Sequence, residues 1–167
     1  LKITEQEVKL PNGKVIEDYI LLGDYKSAMA IAIRKDGKVP VVFQYRHGTK
    51  KFVYDFPVGY LNDGESPLQG AKRELLEETG YISDDWQHLS SCTLDSSRSK
   101  SVIHLYLARN AYKVSKQHLD DTEEISVELF SMDELGTMIR SGKITGLSSV
   151  TCFALASNLV SSIRRQK

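Results

Sequence analysis

Two cysteines, Cys92 and Cys152, are all that a chain of 167 residues carries. That is too few for a disulfide framework or a zinc site, and a reducing cytoplasm is the expected compartment. Neither sign of charge is in excess: Lys plus Arg is 22 and Asp plus Glu is 22. A long nucleic-acid surface normally leaves a basic surplus, so nucleic acid is not an expected partner. No apolar run approaches the roughly 20 residues of a membrane span, and the opening residues lack a secretory pattern. A membrane is excluded on the same reading. Repeats, linkers and low-complexity stretches are absent too, which makes residues 1–167 one expected domain.

What is there divides by pattern. Val8–Leu10 and Val15–Ile16 flank Pro11-Asn12-Gly13, a turn in which proline fixes φ and Asn-Gly accepts positive φ. Ala28–Ile33 and Val39–Tyr45 are apolar runs around Asp36-Gly37, a second hairpin signal. Extended character continues over 52–58 and closes at Phe56-Pro57. Ser66 then reads as an N-cap with Pro67 at the first helical position, and Gly80 stands where a terminal glycine belongs. Val102–Ala108 and Ile125–Phe130 read as strands. Ser131-Met132-Asp133-Glu134 is a capping box opening a helix that ends near Gly142, and 148–163 carries a helical apolar face. Such an order predicts an α+β or mixed α/β layer fold.

The helix over 66–79 carries the chemistry. At about 100° per residue, with Glu74 at zero, Glu78 falls near +40° and Glu77 near −60°. Three carboxylates share one side and border the apolar stripe of Leu68, Ala71 and Leu75. Like charges so spaced repel each other, and a hard divalent cation removes that cost. Mg²⁺, for which Mn²⁺ can substitute, takes such oxygen ligands together with substrate phosphates. Spacing alone leaves a solvated acidic face as an equal alternative.

The wider segment is more specific. Gly59, five residues, Glu65, seven residues and Arg73-Glu74-Leu75-Leu76-Glu77-Glu78-Thr79-Gly80 resembles the signature box of the Nudix hydrolases, here residues 59–81. Tyr81 stands where the general pattern has an aliphatic residue, and an aromatic there is similar to the ADP-ribose pyrophosphatase branch. The resemblance implies an α/β/α sandwich around a mixed sheet, with an N-terminal antiparallel hairpin over 1–27. It implies a metal-dependent hydrolase of nucleoside diphosphates linked to another group. By position, Glu74, Glu77, Glu78 and the carbonyl of Val58 look like the metal ligands. Arg73 looks like the partner that orients Glu77, and Glu65 like a stabiliser of the loop and helix.

Features outside the box resemble the nucleoside diphosphate sugar branch. Leu10–Lys14 is similar to its opening hairpin, which is often exchanged between subunits of a homodimer. In Gln44-Tyr45-Arg46 the arginine is similar to one that meets a substrate phosphate, a role suited to a bidentate donor. Asp55-Phe56-Pro57-Val58-Gly59 resembles that branch's approach to the box. The acidic stretch 120–124 resembles a loop that supplies a base for water or a further metal ligand, with Glu123 the first choice and Glu124 the second. Arg98 is a candidate for phosphate or sugar, and Tyr19 for stacking on the base. Where the branch often has a proline and then a glutamate, Asp95–Ser101 has neither, which leaves the sugar open. Dinucleoside polyphosphates, modified nucleoside triphosphates and a non-catalytic nucleotide sensor are the competing readings. His47, His104 and the two cysteines read as structural or surface residues.

Overall fold

The structure, a computed structural model, describes residues 2–120 and 124–165. The chain opens with β1 (Ile3–Lys9) and β2 (Val15–Leu22), an antiparallel pair closed at the Pro-Asn-Gly turn, where Gly13 takes φ +84°. It continues through β3 (Lys26–Arg34), β4 (Lys38–Arg46), β5 (Lys51–Asp55) and β6 (Val58–Tyr60) into helix α1 (Pro67–Thr79). Then come β7 (Tyr81–Ile82), β8 (Asp85–Thr93), β9 (Val102–Lys113), β10 (Ile125–Ser131), α2 (Met132–Arg140) and α3 (Leu147–Arg165).

β3 is the spine. It pairs antiparallel with β6 on one side and parallel with β9 on the other, and β7 and β8 pair with β9 beyond it. A second sheet runs β10-β4-β5, antiparallel throughout. The extended stretch around residues 52–58 therefore serves two sheets. The change falls at Phe56-Pro57, where proline has no N–H to give a ladder and its carbonyl instead accepts from Ala30 N at 3.0 Å.

Alternation along β3 builds two cores, one per face. Ala28, Ala30 and Ala32 turn toward Ala71 and Leu75 of α1, with Tyr81, Tyr106 and Ala108 around them. Three alanines in a row let the helix axis lie close to the sheet. Met29 and Ile31 turn the other way, into a core with Val39, Val41, Phe56, Leu105, Leu107, Leu135, Ile144, Cys152 and Ala156. With α1 packed on one face of β3 and α3 on the other, the layers are α/β/α as the resemblance implies.

Helix signals in the sequence act as read. Ser66 caps α1, its hydroxyl taking Gln69 N, and Gly80 ends it at φ 75°. A Cβ at Gly80 would lie 2.2 Å from the carbonyl oxygen of Ser115, a second reason for glycine there. α2 opens on the Ser131–Glu134 box, and it closes at Ser141, one residue before Gly142. β8 is the element that periodicity hides. Its register shifts between His88 and Ser90, so the alternation that marks a strand is broken in the middle. Its Cys92 packs against the larger core.

Candidate active site

The centre of the site is a guanidinium. Arg73 donates from Nε and Nη2 to the two oxygens of Glu65, at 2.9 and 3.0 Å. Its Nη1 reaches Glu74 Oε1 at 2.5 Å and Glu77 Oε2 at 2.9 Å, and Nη2 also takes the carbonyl of Tyr60 at 2.9 Å. One side chain thus ties the loop after β6 to two turns of α1. The contacts raise the Arg73 pKa above its ordinary value, hydrogen bonding to Glu65 foremost. The same contact, helped by Asn62 N at 3.0 Å, holds the Glu65 carboxyl below the usual carboxylate range. The sequence gives Arg73 one partner, Glu77; the structure gives it three carboxylates.

Glu78 lies apart from that clamp. It is only 3% exposed, and its Oε2 accepts from Val58 N at 3.1 Å, joining α1 to the start of β6. Glu74 lies against the same strand. A Cβ at Gly59 would stand 1.9 Å from Glu74 Oε1, so the glycine that opens the box leaves room for a carboxylate. The ligands expected from the sequence, Glu74, Glu77, Glu78 and the Val58 carbonyl, offer oxygen alone, a chemistry that suits a hard divalent cation and not a thiophilic one. In this conformation Arg73 draws two of these carboxylates to itself. Among the described residues no three His, Cys, Asp or Glu side chains converge as an ion's ligands.

The second sheet brings Arg46 and Asp55 to the same region. Arg46 Nη2 stands 4.0 Å from Asp55 Oδ2, and Asp55 is fixed by the Ser149 hydroxyl and by Phe56 N at 3.1 Å. Burial pushes the Asp55 carboxyl up; Ser149, Arg46 and Phe56 oppose the shift. Gly146, before α3, lies beside that carboxylate, and a Cβ there would stand 3.7 Å from Asp55 Oδ1, an ordinary contact.

Tyr19 and Arg98 meet each other. The Tyr19 hydroxyl donates to the carbonyl of Ser97, and the Arg98 guanidinium lies 4.9 Å from the ring centre. The Asp95–Ser101 stretch is an ordered staple: Asp95 accepts from Ser97 and Arg98, while Ser99 and Ser101 donate to the carbonyl of Gly23. Its serines fasten the N-terminal hairpin to the body of the domain.

Glu123 lies outside the described residues, and Glu124 is exposed just before β10. The segment leading there is pinned to the end of the helix. His118 N donates to the carbonyl of Glu77 at 2.8 Å, and the Gln117 amide bridges the carbonyls of Glu78 (2.7 Å) and Ile125 (3.0 Å). Nothing in the sequence marks Gln117, because its partners are backbone oxygens 39 and 8 residues away. Cys152 is buried and its thiol is pushed up to about 12, so it has no thiolate to offer.

Residues 24–146 match the NUDIX domain, and the chain belongs to that family. As a Nudix hydrolase it is an enzyme acting on diphosphate anhydrides, in a family generally dependent on divalent metal. It is 33% identical over 146 residues to the methanol dehydrogenase activator of Bacillus methanolicus, covering 86% of this chain and 78% of that one. To the ADP-ribose pyrophosphatase of Bacillus subtilis it is 28% identical over 141 residues, covering 83% and 75%. Its fold is similar to that of a crystal structure of an ADP compounds hydrolase, with a TM-score of 0.81, 19% identity and coverage of 97% and 93%. No helix among the described residues is long and apolar enough to cross a membrane.

Proposed function

We propose that this enzyme is a Mg²⁺-dependent pyrophosphohydrolase of nucleoside diphosphate sugars, ADP-ribose among them, working as a cytoplasmic homodimer. The observation that carries the reading is the intact set of carboxylates on α1, two clamped by Arg73 and one buried against Val58 N. A silent nucleotide sensor has no need to keep three acidic side chains crowded on one helix. Mn²⁺ can replace Mg²⁺ on such donors. The relatives named ADP-ribose pyrophosphatase support the substrate class.

In this reading Glu74, Glu77, Glu78 and the Val58 carbonyl hold the cation, which supplies charge neutralisation and an activated water. Arg73 holds Glu74 and Glu77 on one side of the helix, where they would be available to the cation. Arg46 turns from its loose contact with Asp55 to the diphosphate, where a guanidinium matches phosphoryl oxygens two at a time. Glu123, or Glu124 one residue on, takes the proton of the attacking water. The products are a nucleoside monophosphate and a sugar phosphate. Arg98 and Tyr19, which lie against each other, are the further candidates for contact with the sugar and the base.

The deciding experiment is hydrolysis of ADP-ribose and a panel of nucleoside diphosphate sugars in ¹⁸O-water with Mg²⁺, against excess EDTA. Label should enter one of two phosphate-bearing products, and chelation should stop turnover. Release of free sugar, or full turnover in EDTA, refutes the reading. Glu123→Gln should lower kcat more than it raises KM, since a base acts in the transition state. Loss in Glu124→Gln alone moves the role one residue.

A further inference from the structure

Among the described residues two buried side-chain nitrogens have no hydrogen-bond partner, Arg109 Nε and Gln44 Nε2. Arg109 is otherwise engaged, its remaining guanidinium nitrogens bound to Asp85 and Gln87. Gln44 is the one that calls for a reason. It is 6% exposed, and a buried amide donor without an acceptor carries a desolvation cost with no return. Chains retain such local costs at functional sites.

Its place in the second sheet supplies that reason. Gln44 pairs with Val53 on β5 and Ile125 on β10, Arg46 pairs with Lys51, and Val42 with Asp55. Strand residues two apart share a face, so Val42, Gln44 and Arg46 look the same way, with Asp55 and Ile125 beside them. That face looks toward α1: the helix packs against β4, and Val39 and Val41 take the strand's other face into the larger core. The line from Arg46 to Asp55 crosses the Gln44–Val53 rung, which puts the arginine over the amide. At 4.0 Å the Arg46–Asp55 contact is an attraction without a hydrogen bond, and the arginine side chain is 44% exposed. An anion can therefore draw Arg46 away, uncovering a donor that has been left unused.

We propose that Gln44 is a substrate-binding residue whose Nε2 donates to a phosphoryl oxygen of the bound nucleoside diphosphate, beside Arg46 on β4. The proposal rests on the pyrophosphohydrolase reading above. The chemistry matches on both sides: a diphosphate has acceptors in plenty and no donors, and the amide has a donor with nothing to bind. Two donors from alternate residues of one rigid strand also fix the diphosphate's orientation better than one mobile arginine can.

Gln44→Met removes the amide at nearly constant volume, and Gln44→Glu replaces the donor with an anion. Both are compared with the wild type in three measurements: Tm of the free protein, Kd for ADP with Mg²⁺ by calorimetry, and kcat/KM for ADP-ribose. Gln44→Met should have a Tm equal to or above the wild type while binding ADP about 10–100-fold more weakly, the range for a hydrogen bond to a charged group. Its kcat/KM should fall by a similar factor, and Gln44→Glu should lose more. Wild-type ADP affinity in Gln44→Met overturns the proposal. So does a Tm lowered by several degrees alongside the activity, since that marks an amide needed for folding. If the wild type binds ADP but hydrolyses no nucleoside diphosphate sugar, the functional reading fails and the ratio of ADP affinities still decides the role of Gln44. A wild type that does not bind ADP at all overturns both.

Discussion

At the scale of single residues, the distinction that matters is between carboxylates that hold the fold and those that do the chemistry. In the proposed reading Glu78 does some of each. Its Oε2 accepts from Val58 N, and a glutamine can offer that N–H the same acceptor. Glu78→Gln should therefore lower kcat by two orders of magnitude or more, because the proposed metal ligand loses its charge, while Tm stays within a few degrees or rises. A rise is expected where a buried charge among like charges becomes neutral. Parallel thermal melts and initial rates check this, and an inactive variant that is also unfolded would make Glu78 a structural residue. The Arg73–Glu77 pair was legible because it depends on spacing along one helix, which the sequence encodes directly. The bridge made by Gln117 and the hold of Ser149 on Asp55 were not, because each depends on a partner far away in the chain. Tyr81 is a related case. Its hydroxyl accepts from Arg34 Nη1 at 2.9 Å and its ring lies 5.8 Å from that guanidinium, a contact made across the fold.

At the scale of elements, the loop over residues 61–66 and α1 behave as one piece because Glu65 and Arg73 lock them together. The Glu65 carboxyl titrates lower in the folded chain than in the unfolded one, with its bond to Arg73 the largest cause. A carboxylate with a depressed folded pKa adds stability above its unfolded pKa of about 4.3, and that stability is lost as pH falls through the folded value. Glu65→Gln should accordingly lower stability by about 1.5–3 kcal/mol at neutral pH, the range for hydrogen bonds to charged groups. The gap between variant and wild-type Tm should narrow as pH drops below about 4. Denaturation curves at pH 7 and pH 3 test it, and an equal gap at both values counts against the clamp. Elements with their own end signals, such as α1 and α2, could be read to within two residues. β8 could not, since its bulge breaks the period on which such reading depends.

At the scale of the whole molecule, the N-terminal hairpin stands out from the rest. β1 and β2 form a sheet of their own, with Ile3 62%, Val15 49% and Ile20 45% exposed. A two-stranded ribbon with apolar side chains facing water is marginal alone and gains from a covering surface. The homodimer we propose supplies one, each hairpin lying against the other copy. Light scattering at micromolar concentration should give twice the monomer mass, and Ile20→Glu should shift it toward the monomer. A fully active monomer in the wild type refutes this. The α/β/α layering was foreseeable from the box and the order of elements. How the hairpin is fastened was not, because the serines at 97, 99 and 101 read as an ordinary polar loop.

The parallel pairing of β3 with β9 sets residue 28 beside residue 104. During synthesis the spine strand leaves the ribosome long before β9 exists, and although β6 follows soon on one side, the other edge must wait. Non-local pairing of this kind slows folding relative to a bundle of helices with local contacts. Over that interval the nascent chain exposes the apolar face of β3, and its yield in a cell depends on whatever shields that strand until β9 arrives.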